Sequence, residues 1–307
     1  MKRVIGISET VFDILFRNDR PIAGVPGGSV FNGLTSLGRT GVECAIISET
    51  GDDHVGDLIS KFLVSNGVSP EYMVRGKGKK SAVSLAFLDE NSDAHYSFYK
   101  DYSNSGFEFR LPEVNGGDVI LFGSYFALIP VLRPQVSSFL HYAKERGAIL
   151  YYDVNFRPNH SHEIPQLMDS LHENLMLADI VRGSADDFGI LYGETDPDRI
   201  WSRFMSSCCD SFICTQGPDG VQLRTKSLSC GWPSRRIQAV STVGAGDSFN
   251  AGIVYGLVKH GIERSEIASL SKETWDRLVG YGIDFGCEVC MSTENYISPE
   301  FASRYRL

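Results

Sequence analysis

The order of apolar and polar positions along the chain predicts alternating β-strands and α-helices. Short apolar runs indicate strands, and apolar residues three or four positions apart indicate helices between them. This alternation favours a parallel sheet with helices on its faces, an α/β fold. The predicted strands are 4–7, 11–16, 42–48, 119–122, 149–155, 179–182, 211–215, 221–224 and 236–240, and the predicted helices begin near residues 28, 53, 134, 167, 185, 198, 247 and 274.

One stretch, residues 81–109, interrupts this alternation. Residues 82–89 and 94–100 each alternate between apolar and polar positions, and polar residues 90–93 between them predict the turn of an antiparallel hairpin. Together with the extended segment after the first strand, the hairpin is expected to form a small separate sheet over a cleft. Such a lid excludes water from a site where hydrolysis would compete with the intended reaction.

The strongest chemical signal is the turn Gly244-Ala245-Gly246-Asp247, which opens a predicted helix. Glycines let a ligand approach the backbone closely, and the N–H groups and dipole of a helix N-terminus attract anions. Asp247 then has two interpretations. It either caps the helix, or it takes a proton from a nucleophile that attacks the bound anion.

Three further polar positions are candidates for ligand contacts. Asp13 interrupts an apolar strand, where a carboxylate either faces a cleft or is paired inside the protein. Asn32 follows Gly27-Gly28 at a helix start, and its amide either suits the hydroxyl groups of a polyol or caps the helix locally. Arg157 follows a strand that contains Asp153, and it either contacts a polar or anionic substrate end or pairs with Asp153.

Composition changes this picture mainly by exclusion. The 307 residues carry a net charge of -9 at pH 7, which provides no basic face for nucleic acid. No apolar stretch approaches the ~18 residues that span a membrane. Glu9 and Asp13 interrupt the N-terminal apolar run, so no signal peptide is predicted. The seven cysteines are scattered and odd in number, which favours reduced thiols in a cytoplasmic protein, and Cys287 and Cys290 lack a second pair for a zinc site.

Four separated segments together resemble the ribokinase-like (PfkB-type) carbohydrate kinases. Asp13 follows the first strand, Gly27-Gly28 precedes Asn32, Thr215 precedes Gly217 and Gly220, and residues 242–249 contain the glycine turn. The resemblance rests on the order of these segments and on their spread over nearly the whole chain. It implies one domain, residues 1–307, with a doubly wound, mostly parallel α/β core and a β-sheet lid from about 9–26 and 81–109.

The resemblance also implies an activity, the transfer of the γ-phosphoryl group of ATP to a sugar hydroxyl, with Mg²⁺ bridging the phosphates. Asp247 would be the base, and the N–H groups of Gly244, Ala245 and Gly246 would form the anion hole. Asp187 would assist the metal. The residues expected to hold the sugar are Asp13, Gly27, Gly28, Asn32 and Arg157, together with Tyr99, which either stacks over the sugar ring or only packs the sheet. Those expected to border the nucleotide are Ser184, Thr215, Gly217 and Gly220.

Two positions depart from the family pattern. Ser241 stands where the family usually has an aspartate that is associated with a monovalent-cation site, which puts K⁺ activation in doubt. Ser184 and Asp187 stand at the two ends of the family's Asn-x-x-Glu segment. Only a hydroxyl and a shorter carboxylate are therefore present there.

The substrate and the assembly are finer inferences. The segments around Asn32, Phe98-Tyr99-Lys100 and Arg157 look most like fructokinases and 2-keto-3-deoxygluconate kinases, with ribokinases and nucleoside kinases as alternatives. A non-catalytic sugar or nucleotide sensor is an alternative of another class, although a sensor does not need Asp247 as a base. A dinucleotide-dependent oxidoreductase is disfavoured, because no Gly-x-Gly-x-x-Gly follows the first strand. A lid edge that pairs with a second copy predicts a homodimer.

Overall fold

The computed structural model describes residues 2–88, 94–99 and 108–307. Its strands are β1 (Val4–Ile7), β2 (Val11–Arg17), β3 (Arg20–Gly27), β4 (Cys44–Gly51), β5 (Val68–Ser69), β6 (Met73–Gly76), β7 (Val83–Leu88), β8 (Ala94–Tyr99), β9 (Val119–Gly123), β10 (Ile149–Asp153), β11 (Ile180–Ser184), β12 (Ser211–Thr215), β13 (Val221–Thr225) and β14 (Ser229–Trp232). Its α-helices are α1 (Ser29–Arg39), α2 (His54–Ser65), α3 (Arg133–Glu145), α4 (Ile164–Leu177), α5 (Ala185–Tyr192), α6 (Pro197–Ile200), α7 (Ala245–Lys259), α8 (Lys272–Cys290) and α9 (Pro299–Ser303).

The larger sheet confirms the predicted α/β fold. Its strand order is β14-β13-β12-β11-β10-β9-β1-β4-β5, and β6 pairs with β4. Every pair from β12 to β5 is parallel, whereas β13 and β14 are antiparallel additions at one edge. The carboxyl ends of the parallel strands therefore lie along one side of the sheet, where ligands collect in such folds.

Burial on both faces of this sheet explains why its strands are almost continuously apolar. All four residues of β1 and all five of β9 are buried. One face packs against α1, α7 and α8 through Leu34, Ile253 and Trp275, and the other packs against α3, α4 and α5. None of the described helices is long and apolar enough to cross a membrane. All seven cysteines are free thiols.

The smaller sheet confirms the expected lid architecture. Its order is β3-β2-β7-β8, with β7 and β8 forming the predicted antiparallel hairpin and β2 contributing the segment that contains Asp13. The predicted hairpin turn at 90–93 and Lys100 lie outside the described residues.

One predicted strand, 236–240, is wrong. The edge strand is instead β14, which pairs with β13 and lies before residues 236–240 in the chain. A tight turn explains the difference, because the Thr225 hydroxyl oxygen accepts hydrogen bonds from the N–H groups of Ser227 and Leu228 and returns the chain at once. The Val240 N–H instead donates to the carbonyl oxygen of Cys290, at 2.7 Å, and fixes the segment that leads into α7.

Candidate functional site

The glycine turn forms the N-terminus of α7, as predicted. Gly244 is the N-terminal cap residue, with φ 79° and ψ −4°, and no side chain caps this helix. A side chain at Gly244 would meet the carbonyl oxygen of Asn295, so close packing and the left-handed backbone both require glycine. The Ala245 N–H donates to the Thr242 carbonyl at 3.3 Å, whereas the N–H groups of Gly244, Gly246 and Asp247 have no acceptor within the described ranges. These groups can bind an anion.

The Asp247 side chain does not cap its helix but points to α1. Its Oδ1 accepts a hydrogen bond from the Ser29 hydroxyl and its Oδ2 accepts one from Asn32 Nδ2, each at 2.9 Å. The residue is 8% exposed, and burial raises the pKa of the carboxyl, an effect opposed by Asn32, Arg157, Ser29 and Arg182. A buried carboxylate with a raised pKa is suited to accept a proton.

Close packing of α1 and α7 brings these groups together. A Cβ on Gly33 would lie 3.2 Å from the carbonyl oxygen of Asp247, and the hydroxyls of Ser36 and Ser248 are 3.1 Å apart. Ser29 is a site residue that the sequence analysis did not identify. Its position between Gly28 and Asn32, in the same helical turn as Asn32, was the available signal.

Asp13 and Asn32 flank the backbone of Gly27. A Cβ on Gly27 would lie 2.8 Å from Asp13 Oδ2 and 3.9 Å from Asn32 Oδ1, and the Ser84 hydroxyl donates to Asp13 Oδ1. Asn32 Oδ1 is buried and has no hydrogen-bond partner in the described part of the chain. Since a buried acceptor without a donor is costly, this oxygen suits a hydroxyl group of a ligand. Gly28 has φ 137° and packs closely against the Glu9 carbonyl oxygen, so this position requires glycine.

Tyr99 lies on the other face of the lid from Asp13. Asp13 is paired with Ser84 and Ser84 with Phe98, so these three share one face, while Tyr99 pairs with Val83. The two-residue period of a strand therefore turns Tyr99 away from the Asp13 face. We therefore expect that Phe98, which is 50% exposed, faces the expected sugar site from β8, and that Tyr99 does not.

The buried partner of Asp153 is Arg182 and not Arg157. Arg182 Nη1 donates to Asp153 Oδ1 at 3.0 Å, and both side chains are almost fully buried. Burial raises the pKa of Asp153 to about 6, and Asp187 and Asp247 add to that rise while Arg182 opposes it. Arg157 is exposed and makes no ion pair among the described residues, yet it lowers the pKa of Asp247. It is therefore available for a ligand near that carboxylate.

The predicted nucleotide residues follow neighbouring strands. Thr215 ends β12 beside Ser184, the last residue of β11. Gly217 and Gly220 adopt φ values of 55° and 103° in the turn after β12, and a Cβ on Gly217 would meet no atom within 4 Å. The open backbone at Gly217 therefore lies beside the carboxyl edge of the sheet.

Ser184 and Asp187 form a reciprocal cap on α5. The Asp187 N–H donates to Ser184 Oγ at 3.1 Å, and Asp187 Oδ2 accepts from the Ser184 N–H at 2.6 Å. Asp187 Oδ1 accepts from the Phe156 N–H at 2.8 Å. Each carboxylate oxygen therefore accepts one backbone hydrogen bond and keeps one further acceptor position. Within the described residues no cluster of three acidic, histidine or cysteine side chains forms a metal site.

Comparisons with known proteins identify the family and similar folds. Residues 19–276 match the pfkB family carbohydrate kinase profile. The chain is 27% identical over 262 residues to a fructokinase from Klebsiella pneumoniae, covering 83% of this chain and 84% of that protein. A crystal structure of a Vibrio cholerae fructokinase with fructose, ADP and calcium superposes with a TM-score of 0.83 at 20% identity, over 96% and 94% of the two chains. Aminoimidazole riboside kinase from Salmonella enterica gives 0.79 at 23% identity, over 99% of each chain.

Proposed function

Since the chain belongs to the pfkB family of carbohydrate kinases, we propose that it is an ATP-dependent fructokinase. It transfers the γ-phosphoryl group of ATP to a hydroxyl of fructose. The observation that carries this proposal is Asp247, a buried carboxylate at the N-terminus of α7 that is also bonded to Ser29 and Asn32 of α1. A carboxylate beside an anion-binding turn would repel the anion if the site only bound it. The carboxylate is needed where an attacking hydroxyl must lose a proton.

The reaction follows from these positions. Asp13 and Asn32 Oδ1 accept hydrogen bonds from sugar hydroxyls and orient the ring, while Asp247 takes the proton of the attacking hydroxyl. The sugar oxygen forms a bond to the γ-phosphorus, the bond from that phosphorus to the β–γ bridging oxygen breaks, and ADP leaves. The N–H groups at the start of α7 stabilise the negative charge of the transferred group.

Mg²⁺, which this proposal includes, would neutralise the charge of the nucleotide phosphates. The phosphates and water would supply most of the ligands, and Asp187 would assist the ion directly or through water, because each of its oxygens accepts only one backbone hydrogen bond. Ser241 Oγ accepts a hydrogen bond from the Val243 N–H, so it serves the turn and adds no charge for a monovalent cation.

A coupled assay of ADP release over fructose, 2-keto-3-deoxygluconate, ribose and adenosine tests the proposal. We expect the highest kcat/KM with fructose. Measurable sugar binding without turnover of any of the four would instead support a sensor and would overturn the kinase proposal.

2-Keto-3-deoxygluconate is the second candidate substrate, and Arg157 is the observation that favours it. This exposed guanidinium lies close enough to lower the pKa of Asp247 and has no ion-pair partner in the described ranges. It could therefore bind a substrate carboxylate. In the same assay Arg157→Met would raise KM for the acid far more than KM for fructose if the acid is the substrate.

The pH dependence of turnover should report the environment of Asp247. Burial raises the pKa of this carboxyl above 3.8, against the opposing effects of Arg157 and Arg182 and with the like charge of Asp153 nearby. The base must be ionised, so kcat/KM should fall as the pH is lowered through the raised pKa, with the acidic limb above pH 3.8. An acidic limb at or below the ordinary aspartate value, measured with fructose, would contradict this assignment.

We also propose a cytoplasmic homodimer that forms through the lid. Seven free thiols fit a reducing compartment. The lid exposes 53% of Ile22 and 63% of Tyr99, which a second lid could cover. Sedimentation is expected to give a dimer, and Tyr99→Lys together with Ile22→Lys should shift it to monomer. A monomer at every concentration for the unmodified chain would contradict the proposal.

A further inference from the structure

A buried arginine lies behind the glycine turn. Arg182, in β11, has a side chain that is 8% exposed. Its Nη1 donates to Asp153 at 3.0 Å and its Nη2 donates to Thr215 Oγ1 at 2.6 Å. Its Nε is buried without a hydrogen-bond partner among the described residues. A buried cation with an unsatisfied donor is costly, so a role beyond the ion pair would explain its presence.

The guanidinium packs directly against the anion turn. A Cβ on Gly246 would lie 2.9 Å from each of the two Nη atoms and 3.3 Å from Cζ. The same Cζ lies 5.9 Å from the centre of the Phe249 ring, one turn further along α7. Gly246 is therefore glycine because the cation occupies the space that a side chain would fill.

Three carboxylates from three elements surround this cation. Asp153 ends β10, Asp187 lies in the first turn of α5, and Asp247 lies in the first turn of α7. Burial lowers the pKa of Arg182, but Asp153 and Asp187 outweigh it and raise that pKa, and Arg182 in turn lowers the pKa of Asp153 and of Asp247. Without the cation, the three negative charges would oppose any phosphate at the turn.

We propose that Arg182 is a positioning residue that supplies the fixed positive charge of the anion turn and makes the turn accept the transferred phosphoryl group. This inference rests on the proposed kinase function. Arg182 acts through the turn, because it holds Gly246 in place and cancels the charge of the surrounding carboxylates. A low-dielectric, water-poor setting makes such a fixed charge effective as negative charge develops on the phosphoryl oxygens.

A purely structural role predicts a different outcome in a double variant. If Arg182 only neutralises Asp153, then replacing both residues by neutral ones of similar shape removes the need for it. If Arg182 serves the turn, the defect remains after the Asp153 charge is gone. Asp153→Asn with Arg182→Met therefore separates the two roles, and it avoids the uncompensated buried carboxylate that could unfold Arg182→Met alone.

The experiment measures kcat, the sugar KM and nucleotide binding for the full-length protein. We expect the double variant to lose about 10²-fold in kcat with the sugar KM changed less than about threefold. Its affinity for ADP with aluminium fluoride, a mimic of the transferred group, should fall about as much as kcat, while its affinity for ADP alone should fall far less, by no more than the loss of the Thr215 hydrogen bond allows. Arg224→Met is the control, since the Arg224 side chain is as buried as that of Arg182 but pairs with Asp198 rather than with a carboxylate near the turn.

Two results would overturn the role of Arg182. They are wild-type kcat in the double variant, and an equal loss of affinity for ADP and for ADP with aluminium fluoride. If the unmodified protein turns over no sugar at all, the proposed kinase function fails instead. The comparison of the two binding constants then still decides whether Arg182 serves the turn.

Discussion

Replacing Asp247 by asparagine should lower kcat by about 10²- to 10⁴-fold, the range attributed to general base catalysis. The amide keeps the shape of the side chain but cannot take a proton at neutral pH. The sugar KM should change little, because Asp13 and Asn32 are the residues proposed to hold the sugar and Asn32 can rotate its amide to donate or accept. Steady-state kinetics with fructose and ATP measure both constants.

The stability of this variant should not explain its inactivity. Since burial raises the pKa of Asp247, the folded protein binds its proton more tightly than the unfolded chain does. The carboxyl therefore costs stability as pH rises through that pKa, and the neutral amide should keep the melting temperature or raise it. Asp118→Asn is the control, a buried carboxylate at the amino end of β9 that accepts the Arg3 and Asn115 N–H groups. The Asp118→Asn variant should lose stability and keep its kcat. Wild-type kcat in Asp247→Asn would show that the base is another group.

Gly244→Ala should give the second large loss of activity. Alanine at φ 79° is strained by about 1–2 kcal/mol, and its Cβ would collide with the carbonyl oxygen of Asn295. The turn must move to relieve the collision, and the N–H groups of Gly246 and Asp247 move with it. Misplaced oxyanion donors cost about 10²–10³-fold in kcat, so we expect a fall of that size.

Gly261→Ala provides a matched comparison at the other end of the same helix. Gly261 has φ 65°, and a Cβ there meets no atom within 4 Å. Left-handed backbone strain destabilises both variants, but only in Gly244→Ala does the new Cβ collide with the Asn295 carbonyl oxygen beside the site. Thermal unfolding should show both destabilised and Gly244→Ala the more so, while only Gly244→Ala loses kcat. Equal kcat values in the two variants would mean that the turn takes no part in transfer.

Local chemistry explains which predictions from sequence are confirmed. The α/β alternation follows from strands buried on both faces, and the start of α7 follows from glycines that permit a left-handed cap. Asp53, near which the second helix is predicted to begin, caps α2 by accepting the Gly56 N–H. These features depend on neighbours within a few residues, which the sequence displays directly.

The wrong or missing predictions involve long-range partners. Strand 236–240 fails because a turn at residues 225–228 returns the chain earlier. The face of Tyr99 depends on its register with β7, since a shift of one residue reverses every side chain. The sequence does not reveal the partner of Asp153, because that partner, Arg182, lies 29 residues away on the neighbouring strand.

The sequence by itself determined the fold class, the lid hairpin and the glycine turn at the start of α7, because each depends on local periodicity and backbone freedom. Only the tertiary structure decided which groups the Asp247 side chain contacts. Packing of α1 against α7 places Ser29 and Asn32 on its two oxygens, from 218 and 215 residues away in the chain. The order of β10 and β11 in the sheet places Arg182 between Asp153 and Gly246. Such contacts arise from strand order and helix packing, and no spacing in the sequence records them.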